Sequence, residues 1–416
     1  MSRAPFGSSR CAFPHGLSAS EESGVPVGAE MEAGAERPWR NGRLATAPNP
    51  RHHSAVMIAS LDRLMHTLRG RPISQWGVVL GLSLVFLVAL ETLRLPAALL
   101  LAPMIAGILF SAAGGTVRVA EPLYAGAQGV VGCMIARSLP LSNLAEAARN
   151  WPVFAAGVGS TVMVAALLGW LLTRWRVLPG TTAIWGSSPG AASTMTVMAE
   201  AFGADVRLVA FMQYLRVMCV AGAASVVASL VMAHGGHKLP PVVWFPALDP
   251  AGLAAALGIA VAGAWVGKIA RVPAGALMVP LIVTSVLTWT GAVTIQLPPW
   301  LLALSYALFG WSIGLKFTRD IFLYAARATP RLLAAIVVLI AICGGFGMIL
   351  SWLAGVDPLT AYLATSPGGA DSVAIIAASS KVDVPFVMTM QMVRFVVVLI
   401  TGPVLARFLA GKAARS

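Results

Sequence analysis

Two stretches of the chain carry residue types that can hold an anion beside a broken helix. Ser188, Pro189 and Gly190 are followed by Gln213 and Arg216, and Ser366, Pro367, Gly368 and Gly369 by Gln391 and Arg394. Proline lacks the N–H and clashes with the preceding turn, while glycine reaches dihedrals closed to other residues, so a helix running unbroken through either Ser-Pro-Gly is not expected. A helix starting afresh there offers unpaired N–H groups and its positive dipole end, capped by Ser188 or Ser366 or left for a ligand. Glutamine and arginine three residues apart project from one helical face as an amide and a guanidinium, a donor set suited to a carboxylate or another small anion. Only the second stretch adds an acid close to the break, Asp371 where the first has Ser193. A lone carboxylate beside broken backbone is a candidate for a coupling ion, H+ or Na+. A satisfied acid next to Arg394 is the other reading, and each arginine could instead be consumed by Asp371, Glu200 or the carbonyls of a broken helix.

Other chemistries find little support. Cys11, Cys133, Cys219 and Cys343 are scattered with no CxxC pair, which indicates neither a disulfide framework nor a zinc site. His15, His52, His53 and His66 precede the first apolar run, and His234 and His237 stand in a glycine loop, where two ligands fit a solvated loop better than a metal site. No nucleophile elbow, phosphate loop or dinucleotide fingerprint occurs. We expect no enzymatic activity, no cofactor and no metal.

The elements that must position these residues follow from composition. The chain is 58% hydrophobic and only 11% charged, a balance of lipid rather than of a soluble domain. Apolar runs long enough to cross a hydrocarbon core, which takes about 20 helical residues, fall near 76–93, 96–113, 122–138, 152–173, 182–200, 207–232, 251–268, 273–294, 299–315, 331–354, 358–379 and 385–410. They are continuously apolar and do not alternate, which excludes a β-barrel and leaves helices, whose backbone groups pair within their own segment. Gly263 and Gly267 allow a close helix crossing. Trp151, Trp170 and Trp185 resemble an aromatic belt, and Arg207 and Lys381 interfacial anchors. Asp205 and Asp383 precede the Gln-Arg helices, where an acid caps a helix start. Arg216 and Arg394 follow these acids by eleven residues, about 16 Å along a helix and half the hydrocarbon thickness.

Residues 1–56 hold six arginines and five glutamates with no apolar run, and read as a disordered tail or an over-extended start before Met57. Without a signal-peptide core, the N-terminus is expected in the cytoplasm. In 57–75, Leu61, Leu64, Met65 and Leu68 share a helical face flanked by Arg63, Arg69 and Arg71, as an interfacial amphipathic segment requires. The net charge of +13 suits a basic cytoplasmic side. Direct nucleic-acid binding is not expected, because nothing before the first apolar run is large enough to fold as a DNA-binding domain.

Residues 188–216 and 366–394 align without a gap, with eleven identities in 29 positions. LPAALLLAPMI (95–105) likewise resembles VPAGALMVPLI (272–282), and Gly132 with Ile135 matches Gly310 with Ile313. The chain thus reads as two membrane repeats, 76–232 and 251–410, joined by a linker at 233–250 and closed by a basic tail at 411–416. The paired Ser-Pro-Gly break, the downstream aspartate and the QxxR ending in both repeats resemble the duplicated Gram-negative AbrB membrane family, over about residues 75–410. The first copy departs from the second at Ala191 and Ser193. Family labels of regulation of gene expression and of ammonia monooxygenase come with this resemblance. The small soluble DNA-binding regulator that shares the name is a different kind of protein.

Lysine and arginine in short loops favour the cytoplasm. Lys268 and Arg271 occupy one loop and Lys316, Arg319, Arg327 and Arg331 another, whereas 295–298 and 355–357 hold none. The second repeat then begins outside and the first inside, although Arg137 and Arg149 oppose the simplest threading. The fold class expected is therefore an all-α polytopic membrane protein of two inverted repeats, with about ten crossings and two broken or re-entrant helices, in a bacterial inner membrane. The functional expectation is a transporter or sensor of a small anionic solute, with a midplane site formed by Ser188, Gly190, Gln213, Arg216, Ser366, Gly368, Gly369, Gln391 and Arg394. Asp371 is the coupling-ion candidate, regulation of gene expression is indirect, and a homo-oligomer is an allowed assembly. The alternative is a membrane-bound monooxygenase, disfavoured because no histidine falls within an apolar run.

Overall fold

A computed structural model describes residues 71–93, 95–175, 177–178, 182–188, 199, 203–234, 243–247, 249–272, 274–326 and 328–413. The expected tail, most of the interfacial segment, part of the linker, and Pro189, Gly190, Ala191, Ser193 and Glu200 lie outside the described residues. Among the described residues the chain is helical throughout: α1 (Pro72–Thr92), α2 (Ala98–Ala112), α3 (Glu121–Arg137), α4 (Leu141–Arg149), α5 (Trp151–Arg174), α6 (Thr182–Ser187), α7 (Val206–His234), α8 (Pro250–Ile269), α9 (Gly275–Trp289), α10 (Pro299–Gly314), α11 (Arg319–Ala325), α12 (Thr329–Ala354), α13 (Pro358–Thr365), α14 (Ala370–Ala378) and α15 (Val384–Ala413).

Among the described residues five helices are long and apolar enough to cross a membrane: Pro72–Thr92, Trp151–Arg174, Val206–Val231, Pro250–Ile269 and Thr329–Ala354. A sixth span is reached if α10 and α11, bent by 50°, count as one. That is fewer than the ten crossings expected from the apolar runs. One reason is that α2 and α9 have 15 residues each, about 22 Å and short of a hydrocarbon core. Both start late, after left-handed residues, Ala97 with φ 59° and Ala274 with φ 51°. The run expected at 358–379 is divided into α13 and α14, and the run at 182–200 is helical as far as Ser187. Reading apolar runs alone also overlooked the short helices α4 and α11.

Large apolar side chains cover the outside: Val88, Val231, Trp265, Val337 and Ile349 are exposed, whereas Gln213, Arg216, Gln391 and Arg394 are buried. Lipid outside and polar groups inside require that reversal. Trp185 is buried at 1% exposure, so it belongs to the core and not to an aromatic belt. Its position near the end of an apolar run carries no depth signal. Trp151 is exposed as expected.

The helices recur in order, the starts of α8 to α13 and α15 standing 176 to 178 residues after those of α1 to α6 and α7. The central layer pairs α2 with α10 and α3 with α9, tied by Ser111 Oγ donating to Leu315 O at 3.0 Å and Thr284 Oγ1 lying 3.2 Å from Cys133 Sγ. The Gly263 and Gly267 pair lies at a tight crossing of α8 on α9. A Cβ on Gly267 would stand 2.3 Å from the Gly275 carbonyl oxygen.

Candidate functional site

The second Ser-Pro-Gly is the tip of a helical hairpin. Helix α13 stops at Thr365, the chain turns through Ser366 to Gly369, and α14 starts at Ala370. Asp383 N donates to Thr360 Oγ1 at 3.1 Å, so the start of α15 stands beside the start of α13. Had α13 and α14 run on in one line, Ala378 would lie about 27 Å from Thr360, and residues 379–383 can bridge only about 17 Å. The chain therefore doubles back at the break. The first copy has the matching bond, Asp205 N to Thr182 Oγ1 at 3.1 Å, and a bend at Ser188.

Both aspartates cap as expected: Asp205 Oδ1 accepts from Arg207 N and Leu208 N, and Asp383 Oδ1 from Phe386 N. Helices α5 and α12 come close to their hairpins through glycine. A Cβ on Gly169 would stand 3.2 Å from Ile184 Cα, and one on Gly347 would stand 3.0 Å from Tyr362 Cα.

Breaking a helix leaves its last carbonyls without N–H partners, and the glutamine and arginine of the neighbouring long helix supply them. Gln391 Nε2 donates to Leu363 O at 2.8 Å and to Ala364 O and Ser366 O at 3.4 Å. Arg394 donates Nη1 to Ser366 O and Nη2 to Gly368 O, the latter at 2.7 Å. In the first hairpin Gln213 Nε2 donates to Trp185 O at 2.9 Å and Ser188 O at 3.1 Å. Arg216 Nη1 donates to Ser187 O at 2.9 Å and Ser188 O at 3.0 Å, and its Nη2 to Gln213 Oε1 at 2.8 Å. Both guanidinium groups are thus turned to backbone carbonyls, the structural role weighed for them in the sequence.

Ser366 does not cap the helix after the second break. Ser188 Oγ donates back to Ile184 O at 2.9 Å. Ser366 Oγ is buried without a partner among the described residues, and Gly369 is the N-cap of α14 with no side-chain bond. Asp371 Oδ1 accepts from Ser372 N at 2.8 Å. Among the described residues it has no ion pair, with Arg394 or any other cation.

A cavity of about 530 Å³ reaches the second tip. Gly368, Gly369, Asp371 and Arg394 form one part of its lining, Tyr124, Gln128 and Tyr214 another, and Glu121, Lys268, Arg271 and Lys316 bring the loop charges to it. Lys268 Nζ pairs with Glu121 at 2.9 Å, both side chains largely exposed. Lys316 Nζ bonds Tyr214 OH at 2.5 Å and lies 4.2 Å from the Tyr214 ring centre and 6.0 Å from that of Tyr124. Of the residues singled out from the sequence, Gly368, Gly369, Asp371 and Arg394 line this cavity. Ser188, Gln213, Arg216, Ser366 and Gln391 are not in its lining, and Gly190 lies outside the described residues. Tyr124, Gln128, Tyr214 and Lys316 were missed as site residues. The only signal was the loop charge, used for orientation alone.

The two hairpin bases lie at opposite ends of α12. Asp205 Oδ2 accepts from Tyr324 OH at 2.7 Å, and Tyr324 belongs to α11, which leads into the start of α12. Asp383 instead shares a smaller cavity of about 280 Å³ with Asn150 and with Val356, just past the end of α12.

Membrane-length apolar helices around a buried, arginine-capped break define a helical protein of membrane type. The family model described as "Transition state regulatory protein AbrB" matches residues 99–410, and the chain belongs to the AbrB family. It is 45% identical over 340 residues to the protein of Escherichia coli (strain K12) named "Putative regulator AbrB", an alignment covering 82% of this chain and 97% of that protein. It is 26% identical over 306 residues to "Uncharacterized protein YhjN" of Bacillus subtilis (strain 168), covering 68% of this chain and 77% of that protein. No solved structure matches the chain.

Proposed function

We propose that the chain binds a small anionic solute in the cavity beside the second hairpin tip, as a transporter or as a sensor of that solute. The observation that carries this is the lining itself: Lys268, Arg271, Lys316 and Arg394 against Glu121 and Asp371. One of these cations, Lys268, is paired with Glu121 at the rim, so the remaining balance favours an anion near the start of α14, where helix N–H groups add to the attraction. The reading assigns no catalysis to the chain.

Hairpins entering from opposite ends support an inverted repeat, and with the basic loops this gives about ten crossings in the inner membrane, the N-terminus in the cytoplasm. The cavity then opens toward the cytoplasmic loops. A regulator's name for the E. coli relative agrees with indirect regulation, in which the solute's binding or movement is read by another protein.

Thermal stability of the purified protein, measured with methanesulfonate, nitrate and small carboxylates, tests the reading. At least one anion should stabilise the wild type, and Lys316→Gln should weaken that response about tenfold or more. Counterflow in proteoliposomes separates the two roles, since flux identifies a transporter and binding without flux a sensor. If no anion stabilises the wild type, or Lys316→Gln responds identically, the cavity is not an anion site.

A further inference from the structure

The anion reading places a second negative group at the same floor. Asp371 lines the cavity from the second residue of α14, and Arg394, the lining's cation on the hairpin's own partner helix, has both η nitrogens on Ser366 O and Gly368 O. The carboxylate's bond is to the backbone of its own helix, Ser372 N. The groups facing it from elsewhere are Tyr124 of α3 and Tyr214 of α7, with Lys316 held between those rings. Lys268, Arg271 and Glu121 stand farther out in the lining, two of them joined to each other.

An ionised Asp371 and a bound anion would therefore share one cavity with no cation among the described residues paired to the carboxylate, and like charges in such a site disfavour each other's ionised form. Resting on the anion-site reading, we propose that Asp371 takes up a proton from solvent when the anion binds, so that the solute is bound, and in a transporter moved, as an anion together with one H+. No other bond changes: the proton adds to a carboxylate oxygen and leaves it when the anion departs. Glu121, already bound to Lys268 at the rim, supplies the control.

The linkage has a definite sign. Below the carboxyl pKa of Asp371 in the free protein the group is already protonated, and anion affinity is flat. Above it, each binding event takes up one proton and affinity falls about tenfold per pH unit, until the pKa in the complex is passed. The experiment is titration calorimetry of purified wild type with methanesulfonate or nitrate, which stay singly charged between about pH 5 and pH 9. Repeating it in buffers of different ionisation enthalpy counts protons directly. The expected result is uptake approaching one proton per anion, lost in Asp371→Asn and kept in Glu121→Gln, with Asp371→Asn binding the anion independently of pH. Binding without proton uptake in the wild type overturns the proposal while leaving the anion site intact. So does affinity that follows Na+ concentration at fixed pH and loses that dependence in Asp371→Asn. Absence of binding at every pH overturns the anion site and this proposal together.

Discussion

In the first hairpin Gln213 donates from its nitrogen to Trp185 and Ser188 and accepts on its oxygen from Arg216, so the amide and guanidinium hold each other as well as the broken backbone. In the second, Gln391 gives its nitrogen to Leu363, Ala364 and Ser366, while its oxygen, together with Ser366 Oγ, is buried without a partner among the described residues. Arg394 reaches past the glutamine to Gly368 instead. At the second tip the Nη2 that could meet the amide is on Gly368 O. The first arrangement closes the amide on the guanidinium, although Arg216 Nε, like Arg394 Nε, is buried without a partner among the described residues. The second leaves polar capacity unfilled at the tip that meets the large cavity, where buried polar groups ordinarily find partners.

Removing the arginines should break the comparison most visibly. Arg216→Met strands Ser187 O and Gln213 Oε1 and leaves Ser188 O to Gln213 alone, whereas Arg394→Met strands Gly368 O and leaves Ser366 O to Gln391 alone. Each buried acceptor left unsatisfied costs about 1–3 kcal/mol, so both variants should lose folded yield in detergent. Arg216→Met should be the worse of the two. A lysine at either position cannot reproduce the fork and should rescue neither fully.

The glutamines sharpen the asymmetry at smaller scale. Gln213→Leu removes carbonyl donors and the acceptor for Arg216, whereas Gln391→Leu removes donors alone. The first should therefore be more destabilising by about 1 kcal/mol, one net hydrogen bond, read as a lower thermal midpoint. At the bases the hairpins match, and Thr182→Val and Thr360→Val should each cost about 1 kcal/mol with little difference between them. A large difference there would mean that the two bases are not equivalent.

Much of this architecture was legible because it rests on local chemistry. Pro367 and the glycines beside it announce a helix that must stop, and Asp205 and Asp383 announce helices that must start. The partners of Arg216 and Arg394 were less legible. Their acceptors are backbone carbonyls, freed only once the chain doubles back, and a carbonyl leaves no residue type to read. Tyr124 and Tyr214 were overlooked for a related reason: each sits in an apolar helix, and only packing brings both against Lys316. An apolar run reports composition and not helix length, and α2 and α9 are shorter than their runs because Ala97 and Ala274 delay them through backbone geometry that alanine does not advertise.

The most direct test of the central claim is to locate a bound anion. Crystals soaked with bromomethanesulfonate, with data collected at the bromine absorption edge, should place the anomalous peak in the large cavity, between Lys316 and the Gly369–Asp371 start of α14. A peak absent from that cavity, or found only at solvent-exposed lysines and arginines elsewhere, would contradict the account.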